Sequence, residues 1–269
     1  MMDMYQLNQV PSEAQIRKYV RSIVFGKHVF CPRCTTRQIH TSGDRYWCTR
    51  CRMRFSLLSH TWLANCKIPL VQFWLILWCW TKQIPVKQTM AVTRTSEKGI
   101  RHWFMLFRTH LPVYQEALEH IVQLDEAYFG GMMGYALILA KQQGTRKLAY
   151  WTLPDNAPNK TEAITFVRRY IKADTLLHTD GSVIYQGIHQ HVPVRHAWDL
   201  HNRFEFTQTA EIEGMFGVLR TFIRRMYHHV TRDKFPELMG EFYCRFSHRE
   251  MFTSPYQYLT KTLTLVPTG

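Results

Sequence analysis

Three carboxylates stand out, each inside its own local pattern: Asp125 in LDEAYFGG, Asp180 in LLHTDG and Glu213 in AEIEGMFGVLR. The first two sit in or just after apolar, β-like runs, and the third opens a helical pattern. Acids delivered this way suit a divalent cation such as Mg²⁺, which takes a few carboxylates and keeps positions for water and phosphate. Two such cations can stabilise both the attacking and the leaving oxygen of an in-line phosphoryl displacement. The rest of the chain favours a polyanionic partner, with 34 Lys and Arg against 20 Asp and Glu and a formal net charge of +14 over 269 residues. Acids converging in a basic protein point to cutting or joining of nucleic acid. The plainer alternatives are a merely soluble basic protein and an N-cap role for Asp180.

Neighbouring residues narrow the trio. Glu126 adjoins Asp125, but alternation along a strand sends it to the opposite face, so only one of the two is expected at the site, and Asp125 is taken. Glu211 and Glu213 are two apart on a helix and also diverge. Arg220 follows Glu213 by two turns on the same face and can bind a phosphate near the metals, whereas Val218, placed likewise after Glu211, reads as core. Arg224 and Arg225 then give the helix a basic end for backbone phosphate.

The cysteines carry a second metal signature. Cys31, Cys34, Cys48 and Cys51 form C-x2-C-x13-C-x2-C, two knuckles whose four thiolates can close a tetrahedral, structural zinc site. Paired CxxC spacing within an odd total of seven cysteines favours metal binding in a reducing compartment over disulfides. Cys66, Cys79 and Cys244 lie in apolar stretches and read as core. Arg33, Arg37, Arg45, Arg50, Arg52 and Arg54 surround the knuckles, either as phosphate contacts or as a solvated basic face.

The elements that must position these residues follow from periodicity. A helix starts after Ser12, and helical patterning resumes from Leu70 to about Leu111, broken at Pro85. Within it, Lys87–Val92 and Ser96–Arg108 resemble a helix-turn-helix, with Trp103, Phe104, Leu106 and Phe107 expected in its core. Strands are expected over His120–Tyr128, Gly134–Ala140, Lys147–Leu153, Thr175–Asp180 and Val192–Trp198. Helices are expected over Lys160–Lys172, Ser182–Ile188, Glu211–Met226 and Lys234–Phe246. A β-β-β-α-β-α-β-α order closed by a last helix predicts an α/β (α+β) mixed sheet covered by helices. The most apolar run, Pro69–Trp80, is too short to span a bilayer, and MMDMYQLNQV has no signal-peptide character, so no membrane role and a cytoplasmic, nucleoid-associated location are expected.

At these residues the chain resembles DDE transposases of bacterial insertion sequences. More narrowly it is similar to insertion-sequence family fifteen-ninety-five, whose catalytic region is the ISXO-two-like transposase domain. CPRC, YWCTRC, KIPLVQFW, VQLDEAYFGG, LLHTDG, IEGMFGVLR and MYHHVTRDKFPELMGEFYCRFSHR occur in family order from Phe30 to Phe252. The resemblance implies a ribonuclease-H-like catalytic domain with Asp125, Asp180 and Glu213 as the acids. It implies two Mg²⁺ ions, with Mn²⁺ as a substitute, besides one Zn²⁺ in the ribbon. Arg220 stands where the family commonly has Lys, and Ala210 and Ser247 where it often has Asn. The implied activity is DNA strand cleavage and strand transfer on terminal inverted repeats and target DNA, by a homodimer or larger assembly. An inactive or regulatory zinc-ribbon DNA-binding protein is the alternative, and a structure-specific nuclease a second. The expected organisation is an N-terminal helical segment at 1–29, a zinc ribbon at 30–57 and a helical DNA-binding unit at 58–112. The catalytic domain follows at 113–252, with a tail at 253–269.

Overall fold

A computed structural model of the protein describes residues 10–130, 134–155, 157–198, 209–228 and 230–265. They fall into two units, residues 1–110 with 250–269, and residues 111–249.

The first unit opens with helix α1 (Glu13–Phe25), whose start is fixed by a capping box between Ser12 and Gln15. Three short antiparallel strands follow: β1 (Ile39–Ser42), β2 (Arg45–Cys48) and β3 (Arg54–Ser56). Gly43, at φ +57°, supplies the left-handed turn between β1 and β2. Helix α2 (Leu70–Thr81) is apolar around most of its circumference and buries Phe73, Ile76, Leu77 and Trp80. Helices α3 (Val86–Thr93) and α4 (Glu97–Thr109) complete the helical part. The α3–α4 turn is tight. Arg94 is left-handed at φ 52°, Ser96 caps α4, and a Cβ on Gly99 would meet Thr95 Cγ2 at 2.9 Å. Trp103, Phe104 and Phe107 are buried as expected, while Leu106 is only half-buried. The last helix, Pro255–Thr262, belongs to this unit and is tied to α4 by the Tyr258 hydroxyl donating to Phe107 O at 2.8 Å.

The second unit is a five-stranded mixed sheet. Strands β4 (Ile121–Phe129), β5 (Tyr135–Gln142) and β6 (Leu148–Leu153) form an antiparallel meander. Helix α5 (Lys160–Tyr170), opened by an Asn159–Glu162 capping box, crosses over to β7 (Leu176–Thr179), which pairs parallel to β4. Strand β8 (Arg195–Trp198) pairs parallel to β7. The sheet order is therefore β6-β5-β4-β7-β8. Short turns permit the antiparallel pairs, and longer crossovers enforce the parallel ones. Three antiparallel strands, with the fourth added parallel beside the first and the fifth parallel beside the fourth, form the ribonuclease-H-like topology the resemblance implies. Helices α6 (Ala210–Tyr227) and α7 (Phe235–Ser247) close the unit. No helix among the described residues is long and apolar enough to cross a membrane.

The expected short helix at Ser182–Ile188 is instead two 3₁₀ turns, Val183–Tyr185 and Ile188–Gln190. Gly187 separates them, left-handed at φ 70°. The helix expected to Lys172 stops at Tyr170 because Ile171 is extended and bridges to Leu118. Val218 is 55% exposed rather than core. The buried stripe of α6 runs through Ile212, Met215, Phe216, Leu219, Phe222, Ile223 and Met226, which leaves Val218 on the outer face.

Alternation along β4 sorts its side chains between two layers. Val122 and Leu124 enter the core shared with Phe166 and Val167 of α5. On the other side, buried Gln123 accepts a hydrogen bond through Oε1 from Ile212 N at 2.9 Å, anchoring the first turn of α6. The tyrosine of the first 3₁₀ turn, Tyr185, is fully buried in the α5-side core.

Candidate active site and metal centres

Strand β7 pairs with β4 only as far as Gln123↔His178, so both strands run on beyond their shared ladder. Asp125 follows on β4, and Asp180 follows the last residue of β7. Adjacent parallel strands thus deliver two acids to one notch, Asp125 from the middle of β4 and Asp180 from just past the C-terminal end of β7. Asp125, Glu126 and Asp180 each offer a carboxylate oxygen, and these oxygens lie within 4.8 Å of one another. Glu126 was expected to be turned away. Its Cβ does take the other face, toward the Tyr185 layer. Beyond the end of β7, however, no strand separates the two faces, and the longer Glu side chain reaches the same notch.

Each acid is held by local bonds. Asp125 Oδ1 accepts from Glu126 N at 2.7 Å, and Asp180 Oδ1 accepts from Ser182 N at 3.1 Å. The Tyr185 hydroxyl donates to Glu126 Oε2 at 2.5 Å, and Tyr128 and Ser182 hydroxyls lie 3.3 and 3.4 Å from Oε1. Burial pushes the Asp125 carboxyl up to about 7, with the charges of Glu126, Asp180 and Glu213 adding to it. Burial also raises Glu126, opposed by its hydrogen bond from Tyr185. Clustered oxygens that resist ionising together are what a hard divalent cation relieves, so the donor set fits such an ion.

Glu213 stands in the first turn of α6, exposed, with Oε1 3.3 Å from Thr209 Oγ1. Its charge acts on Asp125, but it lies outside the three-acid group. Glu211 is engaged elsewhere: it pairs with the buried Lys141 ammonium and accepts from Gly144 N, and these bonds hold its carboxyl below the usual range. Of the two acids opening α6, Glu213 is thus the one not committed to a lysine. Arg220, Arg224 and Arg225 are all exposed, and the Arg220 guanidinium sits 5.9 Å from the Phe129 ring centre at the end of β4.

Two supporting residues escaped the sequence reading. Gln123 and Tyr185 read only as a strand residue and an aromatic in a turn, because a side chain's partner across 89 or 59 positions leaves no local pattern.

In the first unit, the four knuckle cysteines likewise lie within 4.8 Å of one another. Cys31 and Cys51 sulfurs are 3.5 Å apart, as are those of Cys34 and Cys48. A tetrahedron with metal–sulfur bonds of about 2.3 Å has edges of about 3.8 Å, so the cage is close to zinc-sized. The two knuckles are built alike. Thr35 N bonds Cys31 O and Arg52 N bonds Cys48 O, with Thr35 and Arg52 both left-handed. The six arginines around them are exposed.

The sheet order, with one acid in the middle of its first strand and another just past the end of its fourth, defines a ribonuclease-H-like domain with a carboxylate notch, preceded by a four-cysteine cluster. Residues 117–247, nearly half of the chain and wholly inside the second unit, match the family described as the ISXO2-like transposase domain. No curated protein matches the chain. Among solved structures it is similar to the catalytic core domain of BIV integrase, with 9% identity over 47% of this chain and 82% of that one, TM-score 0.34. It is also similar to a simian T-cell lymphotropic virus intasome in complex with PP2A regulatory subunit B56 gamma. There the identity is 13% over 58% of this chain and 65% of that one, TM-score 0.32.

Proposed function

We propose that the protein is a DNA transposase that cleaves the terminal inverted repeats of an insertion sequence and joins them to target DNA. The observation that carries this reading is the meeting of Asp125 and Asp180 on neighbouring strands within the family-matched domain. Asp125, Asp180 and Glu213 would hold Mg²⁺ or Mn²⁺, with Glu126 beside them. Bound there, the cations supply charge neutralisation at the phosphoryl group and an activated water or 3′ hydroxyl. Arg220, Arg224 and Arg225 hold backbone phosphates along the outer face of α6. Cys31, Cys34, Cys48 and Cys51 hold a structural Zn²⁺, and the ribbon with the α3–α4 unit reads the repeat ends. Joining two ends to one target calls for a homodimer or larger assembly on DNA, and such a protein works in the cytoplasm at the nucleoid.

The test is strand cleavage and transfer with labelled repeat ends. Asp125→Asn, Asp180→Asn and Glu213→Gln should each abolish cleavage while leaving DNA binding nearly intact. Full activity in any one sinks the assignment. Binding without Mg²⁺-dependent cleavage by the wild type would instead make the protein a regulator. Glu211→Gln should keep cleavage but lower stability, because it leaves the Lys141 ammonium buried without its counter-charge.

A further inference from the structure

Beside the carboxylate notch lies a cavity of about 320 Å³ with Asp180 and Ser182 in its wall. Its other walls include Gln186, His189, His196 and Trp198. The volume is at the small end of what ligand pockets offer, roughly 300–1,000 Å³, enough for one nucleotide and far too small for a duplex. Trp198 ends strand β8 and is 52% exposed, an unusual state for a residue with so much apolar surface. Its ring lies 5.4 Å from that of His196, tilted by 43°, and the His196 Nε2 is fixed 2.9 Å from Thr179 Oγ1. The aromatic wall is thereby tied to the residue preceding Asp180. Gln186 is exposed on the rim, and its amide can both donate and accept. Two more exposed side chains flank the acids: Tyr128, two residues after Glu126, and Val183, three after Asp180.

An aromatic face beside a hydrogen-bonding amide suits a planar heterocycle with polar edges. In a chain of net charge +14, an anionic partner bearing such rings is a nucleic acid. Bases inside a duplex are already stacked on each other and cannot offer a face to Trp198. An unpaired base can. We propose that this cavity receives one unpaired nucleobase next to the phosphate held at the notch, stacked on Trp198 and edged by Gln186. The inference rests on the nucleic-acid reading of the notch and adds to it a preference for frayed or single-stranded DNA beside the reacting phosphate. Because every base has a π-face, the preference should be tolerant of sequence.

The test measures binding of the full chain, with Ca²⁺ replacing Mg²⁺, to forked duplexes by fluorescence anisotropy. One fork carries three unpaired thymidines, the other three abasic sites, and a blunt duplex is the control. Wild type should prefer the thymidine fork on the order of 10-fold over the abasic one. Trp198→Ala should abolish that preference, Trp198→Phe should retain most of it, and both should bind the blunt duplex as wild type does. Equal affinity of the wild type for the two forks, or a preference that survives Trp198→Ala, overturns the proposal. So does a change in oligomeric state on Trp198→Ala with the preference intact, which would give Trp198 to a protein contact. A wild type that binds no DNA removes the transposase reading as well. One that cleaves repeat ends without any fork preference removes this inference alone.

Discussion

Replacing Asp125 by Asn should stabilise the protein while destroying its chemistry. The carboxyl is pushed from 3.8 to about 7 by burial and by neighbouring acids. The folded protein therefore binds that proton more tightly than the unfolded chain does. The stabilisation is fully present below pH 3.8 and is lost as pH rises through about 7. Above that pH the wild type carries a carboxylate that costs up to about 4 kcal/mol. Asn has the same shape, never ionises and escapes the cost. The notch is partly open to water, which reduces the gain to about 2 kcal/mol. For a unit of this size that is a rise in Tm of about 4–8 °C. Calorimetry at pH 4.5 and pH 8 is the assay, in buffer without added divalent cation. A chelator is avoided so that the zinc proposed for the cysteine cage stays in place. Asp125→Asn should melt close to wild type at pH 4.5 and well above it at pH 8. Adding Mn²⁺ at pH 8 should raise the wild type alone and close the gap, by about 2.7 kcal/mol at a hundredfold excess over Kd. A gap that does not change with pH, or a wild type more stable at pH 8 without cation, would refute the electrostatic reasoning.

Other residues give independent checks. On the proposed zinc site, Cys34→Ser should lower bound zinc to well below one per chain by metal analysis and destabilise the first unit, as expected of a small segment closed by a metal. Gln123→Ala should cost about 0.5–1.5 kcal/mol in urea unfolding, because it removes one of two acceptors of the Ile212 amide, which also reaches Thr209 O at 3.1 Å. Buried Glu241 accepts from Tyr227 and pairs with buried Arg245 at 2.8 Å, so Glu241→Ala should cost about 3–5 kcal/mol. Tyr185→Phe should weaken Mn²⁺ binding in calorimetric titration, because it removes the hydroxyl that holds Glu126 toward the other two acids.

How legible the fold was depended on the range of the forces involved. Strands and helices announce themselves through periodicities confined to a few residues. β4 through β8 and α6 therefore appear within a few residues of their expected bounds. The capping boxes at Ser12 and Asn159 are equally local. What was misread depended on contacts between distant segments. Glu126 was turned away by strand alternation, which sets the direction of its Cβ and not the reach of its carboxylate where no adjacent strand separates the two faces. β7 ends before that position. Val218 was assigned to the core from spacing alone, yet the stripe of α6 is set by where the sheet lies. Gly187 breaks a short helix because its left-handed conformation ends the run of bonds.

The Gln123–Ile212 bond has a consequence for how this domain tolerates change. Gln123 lies two residues before Asp125 on β4, and Ile212 one residue before Glu213 on α6. One amide therefore fixes the relative position of the strand and helix that carry those acids. A substitution that shifts this bond displaces both acids together, so sequence change in the two elements is tolerated where their contact at Gln123 is kept.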